Sequence, residues 1–247
     1  MALFVGIIGL PNVGKSTLFN TLTRAHVEAS NYPFCTVEPN VGMVEVPDVR
    51  LDKLNALLAP KTCTPTYIRF VDIAGLVRGA SKGEGLGNQF LGHIREADAL
   101  VHVVRCFDDE GITHVDGRVD PLADVDTIQT ELMLADLDTA EQAYLKMEKL
   151  ARSDMRALDK GAFDMLGRLV NGLREGVPIA DQGFDLEDLE KVATYRFLTV
   201  KPMIYLANVG EDQLPSGGEP VDLLRKKFGE DRVLVVSGKI ESELLDL

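Results

Sequence analysis

The sequence has no tryptophan, only three cysteines and no long uninterrupted apolar run. The cysteines, Cys35, Cys63 and Cys106, lack the spacing of a metal site, and so sparse and odd a set is typical of a reducing cytosol. A membrane-spanning helix needs about 20 consecutive apolar residues, so no membrane span is expected. The N-terminus carries no signal-peptide pattern and leads straight into an apolar segment. We therefore expect a cytoplasmic protein.

Positive charge is scarce as well. Lysine and arginine number 26 against 39 aspartates and glutamates, which gives a formal net charge of −13. This balance does not suit wide contact with naked nucleic acid, so no sequence-specific nucleic acid is expected as a partner, although a local basic patch stays open. With 45% hydrophobic and 26% charged residues, the 247-residue chain suits one large domain or a domain with an insertion.

Five apolar segments separated by helical patterns are predicted as strands. They are Leu3–Ile8, Tyr67–Asp72, Leu100–Val104, Met203–Ala207 and Arg232–Val236. Several are continuous apolar runs, which is typical of strands covered on both faces. The alternation of strands and helices predicts an α/β fold with a doubly wound sheet. In such sheets ligands bind beyond the carboxyl ends of the strands.

Residues 124–198 interrupt this rhythm and are predicted to form an inserted helical domain, with 1–123 and 199–247 forming the sheet domain. Apolar residues from Met133 to Leu158 recur every three or four positions, which predicts one long helix with an apolar seam. The insertion is either a structural appendage or a docking arm for a partner.

The end of the long helix is expected at Gly161. The same spacing then continues over residues 163–177, so the two segments are predicted to form an antiparallel helical hairpin. A third helix is expected over residues 185–198, leading back into the sheet.

Residues 9–16 read GLPNVGKS and match in full the phosphate-cradling loop G-x-x-x-x-G-K-[ST], between a predicted strand and a predicted helix. Backbone N–H groups of such a loop point at phosphate oxygens, and the helix N-terminus adds positive potential. Lys15 is expected to reach the β- and γ-phosphates, and the Ser16 hydroxyl to coordinate Mg²⁺. The phosphate-binding candidates in this loop are Asn12, Val13, Gly14, Lys15, Ser16 and Thr17.

A second element, D-x-x-G, follows the predicted strand that ends at Asp72. Asp72 is expected to act on Mg²⁺ through a water, and the Gly75 N–H to approach the γ-phosphate where a side chain would obstruct. Thr36, in the preceding loop, is the candidate for the second protein oxygen on Mg²⁺. Five glycines between positions 75 and 87 make the next stretch a switch loop that a ligand or partner would order.

Leu76 stands where many GTP-hydrolysing switch proteins place a glutamine that orients the attacking water. Hydrolysis is therefore expected to be slow or to use another group. The candidates are His114 and His93, with Lys82 or Arg78 as cations near the developing charge. Asn12 is a further candidate, because its amide could help to hold a monovalent cation such as K⁺ beside the phosphates.

The base-recognition element departs from the guanine-specific pattern N-K-x-D. Residues 208–211 read NVGE, so Val209 replaces the lysine and Glu211 replaces the aspartate with a longer side chain. The added methylene disrupts the bidentate pairing with guanine, which favours adenine, and Asn208 can bond adenine N7 or N6. Ser237, Gly238 and Lys239 are expected in a second loop against the base.

Together these motifs resemble the YchF or Obg-like ATPase family. The resemblance rests on the phosphate loop with Asn12, YPFCT at 32–36, DIAGLV at 72–77, GASKGEGLGNQFL at 79–91 and NVGE at 208–211, and it covers essentially the whole chain. It implies a P-loop NTPase domain of the G-domain type interrupted by the helical hairpin, hydrolysis of ATP in preference to GTP, and association with the ribosome. It also places the family's water-activating histidine at His114.

Two departures from the family accompany the resemblance. Family members normally continue into a small β-rich TGS domain, whereas the sequence stops at Leu247, and Gly238 stands where alanine is more usual. The predicted function is a Mg²⁺-dependent ATPase that acts as a ribosome-associated switch with weak intrinsic turnover. The alternatives are an Obg-type GTPase and a nucleotide-gated binding module whose hydrolysis is incidental.

Overall fold

The structure is a computed structural model that describes residues 2–24, 40–73, 86–109, 111–115 and 117–247. Within these residues six strands form one sheet in the order β2-β3-β1-β4-β5-β6. The strands are β1 Leu3–Ile8, β2 Val41–Val46, β3 Thr66–Asp72, β4 Ala99–Arg105, β5 Met203–Asn208 and β6 Val233–Val236. Neighbouring strands are parallel from β3 to β6, so their carboxyl ends meet at one edge of the sheet.

The described residues include the following α-helices. They are α1 Lys15–Arg24, α2 Val49–Leu58, α3 Leu86–Glu96, α4 Pro121–Ser153, α5 Lys160–Arg174, α6 Leu186–Glu190, α7 Gly218–Phe228 and α8 Gly238–Leu244. Helix α1 packs against α8, and α4 packs against α5 and α7. The central strands are buried as their apolar runs require, with Ile8 of β1 and Leu100 of β4 almost fully covered. The predicted α/β fold is confirmed.

No α-helix in the described ranges is both long enough and apolar enough to cross a membrane.

Strand β2 was not among the predicted strands. It runs antiparallel to β3, with Val41 opposite Val71 and Val46 opposite Thr66, and it lies at the end of the sheet order. Its residues are mostly half-buried rather than buried. An edge strand of this kind needs no continuous apolar run, so the pattern that marks the central strands is missing.

The long helix α4 begins at Pro121, well before the predicted seam at Met133. Asp120 caps it, because its carboxylate accepts a hydrogen bond from the Ala123 N–H at 3.1 Å, and proline suits the first helical position. Helix α4 ends at Ser153, so the predicted extension as far as residue 158 is wrong.

The turn between α4 and α5 spans residues 154–159 and does not depend on Gly161. Asp159 caps α5 by accepting a hydrogen bond from the Ala162 N–H at 3.0 Å. Gly161 therefore lies inside the first turn of α5, and its predicted role as the break is wrong. The antiparallel pairing of the two helices is present, with Tyr144 of α4 stacked on Phe163 of α5 at a ring-centroid distance of 4.8 Å.

Helix α4 contributes to three hydrophobic clusters along its length. Val125, near its start, packs in a cluster with β5 and α7. Ile128 and Leu132, in its first half, pack into the core of the sheet. Ala140 and Ala143, in its second half, pack with α5 in a separate cluster. One continuous helix thus joins the core of the sheet to the hairpin, and a domain boundary between residues 123 and 124 stays a prediction.

The single helix predicted over 185–198 is wrong. Helix α6 covers only Leu186–Glu190, and a short 3₁₀ turn at Ala193–Tyr195 follows. The buried carboxylate of Asp136 on α4 accepts hydrogen bonds from the Leu198 and Thr199 N–H groups at 2.8 Å each, and from the Thr199 hydroxyl at 2.7 Å. The Leu198 N–H is therefore not available to a helix that ends at 198.

Asp136 fastens the base of the hairpin to the chain that enters β5. Burial raises the pKa of Asp136, and the three donors together with Arg95 act in the opposite direction. Substituting a buried carboxylate that accepts several hydrogen bonds lowers stability, because its buried donors are left without an acceptor.

We expect Asp136→Asn to lower the free energy of unfolding by about 2–4 kcal/mol, since the amide group turns an N–H₂ toward at least one N–H donor. Urea unfolding followed by circular dichroism measures this change. The control is Asp138→Asn two residues along the same helix, whose carboxylate is exposed and accepts only from Gln142 among the bonds described, with an expected loss of at most about 0.5 kcal/mol. Equal losses in the two variants would contradict this account of Asp136.

Candidate nucleotide-binding site

The loop of residues 9–14 joins β1 to α1 at the carboxyl edge of the sheet. Asn12 and Gly14 have positive φ angles of 62° and 97°, which curl the loop back over the start of α1. At Gly14 the absence of a side chain is a steric requirement. A Cβ there would fall well inside 3.0 Å of the Asn208 side-chain nitrogen, a separation that real Cβ contacts essentially never show.

Lys15, the first residue of α1, is buried at the centre of this loop. Its ammonium group donates to the Leu10 carbonyl oxygen at 2.7 Å. Burial lowers the pKa of Lys15, while the negative charge of Asp72 acts in the opposite direction. The ammonium group is thus held inside the loop, where a phosphate group would offer it a stronger partner than a carbonyl.

Ser16 and Asp72 come together although 56 positions separate them in the sequence. The Ser16 hydroxyl donates to Asp72 Oδ2 at 2.6 Å. Asp72 Oδ1 is buried and has no hydrogen-bond partner in the described part of the chain. Hydroxyl and carboxylate oxygens are hard ligands of the kind that Mg²⁺ prefers, and a buried carboxylate oxygen without a partner favours a cation nearby. Both residues therefore fit the predicted Mg²⁺ site.

Several predicted site residues lie outside the described ranges. They are Thr36 and Gly75, together with Leu76, Arg78 and Lys82. Their roles stay predictions from the sequence.

Asn208, at the end of β5, joins two loops with its side-chain amide. Its Nδ2 donates to the Val13 carbonyl oxygen at 2.9 Å, and its Oδ1 accepts from the Gly238 N–H at 2.9 Å. The side chain is buried. An asparagine amide has two donors and an oxygen with two lone pairs, so each end retains one position for a ligand. A Cβ at Gly238 would lie 3.3 Å from Asn208 Oδ1, so glycine leaves this contact uncrowded.

A cavity of about 1030 Å³ opens where the phosphate loop, residues 208–212 and the loop at 237–239 meet. Its lining includes Asn12, Gly14, Lys15, Ser16, Thr17, Asn208, Val209, Glu211, Ser237 and Gly238. The structure thus brings nearly all the described phosphate and base candidates to one cavity, which is at the upper end of the size range of small-molecule sites. The Val209 side chain also packs into the hydrophobic cluster beneath the cavity.

Glu211 is engaged at the wall of this cavity. Its Oε1 lies 2.6 Å from the Lys239 ammonium group, and both side chains are partly exposed. The carboxylate raises the pKa of Lys239. The carboxylate at the position that reads guanine in related sites thus has a cation beside it, in an exposed pair that contributes little to stability.

The candidate catalytic histidines differ in their surroundings. His114 is buried, with Nε2 at 2.9 Å from Asp124 Oδ2. The residue before it, Thr113, accepts a hydrogen bond at its carbonyl oxygen from Asn12 Nδ2 at 3.1 Å, which places His114 next to the phosphate loop. His93 is exposed on α3. Neither His114 nor His93 is among the described residues that line the cavity.

Some residues of the site were not predicted from the sequence. Phe107 and Ile112 line the cavity, and Asp124 holds His114. Phe107 and Ile112 lie in the loop between β4 and α4, which carries no motif. Asp124 had a weak signal, as the acidic residue in the first turn of a helix.

The sequence of the chain is similar to those of known proteins. A family model described as 50S ribosome-binding GTPase matches residues 4–136. The chain is 52% identical over 254 aligned residues to the ribosome-binding ATPase YchF of Bacillus subtilis, covering 100% of this chain and 68% of that protein. It is 50% identical to the protein of the same name from Haemophilus influenzae, covering 98% of this chain and 67% of that protein.

A solved structure from the same family superposes on this chain. The YchF GTPase of Schizosaccharomyces pombe superposes with a TM-score of 0.82 at 34% identity, covering 99% of this chain and 68% of that one. The sheet, the phosphate loop and the cavity define a P-loop nucleoside triphosphatase with the G-domain fold. The chain belongs to the YchF family, and it spans about two thirds of the length of the relatives above.

We expect Gly14→Ala to lower the free energy of unfolding by about 2 kcal/mol or more, because a side chain is strained at this φ and displaces the Asn208 amide. Urea unfolding and nucleotide titration measure the loss of stability and of affinity. Gly92→Ala is the control, since a Cβ there meets nothing within 4 Å and alanine favours a helix, so it should be neutral or stabilising by at most about 1 kcal/mol. An unchanged Gly14→Ala protein would contradict the close fit with Asn208.

Proposed function

We propose that this protein is a Mg²⁺-dependent hydrolase that binds ATP in preference to GTP and acts as a cytoplasmic, ribosome-associated switch. The observation that carries the proposal is the cavity at which the phosphate loop and Asn208 meet, with Glu211 paired with Lys239 at its wall. The names of the relatives, ribosome-binding ATPase YchF, support the class of reaction and of partner.

The phosphate groups would lie on the backbone of residues 12–17, with Lys15 neutralising their charge. Ser16 and Thr36 would hold Mg²⁺, with Asp72 acting on it through a water. When bound, the ion neutralises charge on the phosphate oxygens. The Gly75 N–H would approach the γ-phosphate, so loss of that group would release the glycine-rich segment that follows.

Adenine is favoured because guanine lacks its usual acceptor. Guanine reading needs a carboxylate placed to accept from both N1–H and N2–H₂, and the Glu211 carboxylate is longer and paired with Lys239. Asn208 retains one amide hydrogen and one lone pair, enough to bond adenine N7 or N6. Val209, Ser237 and Gly238 would complete the base site around it.

For hydrolysis, His114 is the proposed residue that positions water. Asp124 binds one of its ring nitrogens and so fixes the tautomer and the orientation of the ring, as an orienting group does for a catalytic histidine. Because Leu76 cannot orient water, turnover without a partner should be slow. Asn12 is oriented by its bond to Thr113, and its amide oxygen is a candidate ligand for K⁺ beside the phosphates.

Two other functions remain candidates, each favoured by a particular observation. GTP hydrolysis is favoured by the description of the matching family model and by the name of the Schizosaccharomyces pombe protein, both of which specify a GTPase. A nucleotide-gated binding module is favoured by the burial of His114 and by the hairpin of α4 and α5, which offers a partner a surface that the sheet does not need.

We expect ATP to bind at least about tenfold more tightly than GTP, a difference of about 1.4 kcal/mol, in calorimetric titrations with Mg²⁺. Tighter binding of GTP would replace the adenine assignment by the GTPase alternative.

Ser16→Ala should weaken the effect of Mg²⁺ on nucleotide affinity in the same titrations. Thr21→Ala is its control on the same helix, because the Thr21 hydroxyl donates to the Thr17 carbonyl oxygen and Thr21 does not line the cavity.

We expect His114→Ala to slow single-turnover hydrolysis of ATP by about 10²-fold, the lower range for loss of a proton-transfer group. Nucleotide affinity measured on the same variant shows whether the site is still folded. His93→Ala, on the exposed face of α3, should change the rate less than about twofold by comparison. An unchanged rate with His114→Ala would remove this residue from the chemistry and favour the binding-module alternative.

A further inference from the structure

A buried arginine holds the loop between β4 and α4, whose described residues are 106–109, 111–115 and 117–120. Arg105, the last residue of β4, is only 1% exposed. Its guanidinium group donates to three carbonyl oxygens of this loop: Nε to Phe107 at 3.2 Å, Nη2 to Asp109 at 3.2 Å and Nη1 to Ile112 at 2.9 Å. The same group lies over the Phe107 ring, 4.6 Å from its centroid.

The loop that Arg105 holds is one wall of the cavity. Phe107, Asp109 and Ile112 all line it. Two points of the loop bind parts of the site already described. The Cys106 N–H donates to the Asn208 carbonyl oxygen at 2.8 Å, and the Thr113 carbonyl oxygen accepts from Asn12 Nδ2 at 3.1 Å.

We propose that Arg105 is a positioning residue for the nucleotide: its guanidinium group fixes the middle of the β4–α4 loop as a wall of the cavity and thereby sets the place of His114 beside the phosphate loop. This inference rests on the proposed function, because it takes the cavity to be filled by a nucleotide. Arg105 itself does not line the cavity and acts through the loop.

The chemistry of the contact explains why arginine is needed there. Three carbonyl oxygens that face one group from different directions require several N–H donors in a fixed plane, which guanidinium provides. A lysine keeps the positive charge but ends in one compact ammonium group. It can satisfy some of the carbonyl oxygens but not hold all three in the same places.

The test compares Arg105→Lys with Arg95→Lys in the full chain. Arg95 makes similar bonds away from the cavity, with Nη1 at 3.4 Å from the Tyr195 and Arg196 carbonyl oxygens and Nη2 at 3.1 Å from the Thr139 hydroxyl. Thermal midpoints without nucleotide report general stability. Titrations with Mg²⁺·ATP and Mg²⁺·GTP, well below both midpoints, report the shape of the cavity.

Both variants should lower the thermal midpoint, but only Arg105→Lys should weaken binding of the preferred nucleotide, by about tenfold, and slow single turnover at saturating nucleotide. If the nucleotide affinity of Arg105→Lys lay within about twofold of that of the unaltered protein, the inference would be overturned and the proposed function would not. Equal weakening by Arg95→Lys would also overturn it, because the effect would then be one of general stability. If the unaltered protein bound neither nucleotide, the proposed function would fail first.

A measurement on the unaltered protein covers the case in which Arg105→Lys does not fold. Exchange of the Arg105 Nε–H with water, followed by NMR of arginine side chains, reports how often the loop leaves the guanidinium group. Exchange should slow at least about tenfold when nucleotide fills the cavity, because the nucleotide holds the wall closed. If the exchange rate of the Arg105 Nε–H were the same with and without nucleotide, the inference would be overturned.

Discussion

The side-chain amide of Asn208 joins the two loops between which the cavity opens. It binds the Val13 carbonyl of the phosphate loop on one side and the Gly238 N–H at the start of α8 on the other. The curvature of the phosphate loop, the absence of a side chain at Gly14 and the closeness of α1 to α8 all fit around this amide. Because both partners are backbone groups, one buried side chain fixes the separation of two chain segments that the sheet alone would leave free.

Most polar residues of the site have a structural contact as well as a proposed role toward a ligand. Asn12 holds the Thr113 carbonyl, His114 is bound to Asp124, and Ser16 is bound to Asp72. Such contacts keep the side chains in place before a ligand arrives, which lowers the ordering cost of binding. Asp72 Oδ1 differs from these groups, because it has no hydrogen-bond partner among the described residues.

The parts that local chemistry determines could be predicted from the sequence. The five parallel strands have largely apolar runs, several of them continuous, and the phosphate loop follows directly from its motif. Strand β2 and the short helix α6 could not, because they depend on pairing at a sheet edge and on the Asp136 carboxylate of another helix. Tertiary contacts of this kind override local pattern.

The same reasoning explains what was missed in the site. Arg105 carries no motif, and only the folded loop shows that its guanidinium group binds three carbonyl oxygens. The pairing of Glu211 with Lys239 is likewise a contact between loops that the sequence separates widely. Residues that bind a ligand through motifs can be found in sequence, whereas residues that place those motifs are found from their contacts.

The most direct test of this account is a crystal structure of the protein with a non-hydrolysable ATP analogue and Mg²⁺. The expected result places the triphosphate on residues 12–17, the ion between Ser16 and Asp72, and the adenine beside Asn208, whose bonds to Val13 and Gly238 remain intact. A triphosphate bound elsewhere, or an Asn208 amide swung away from both loops, would contradict the central claim that this amide builds the nucleotide site.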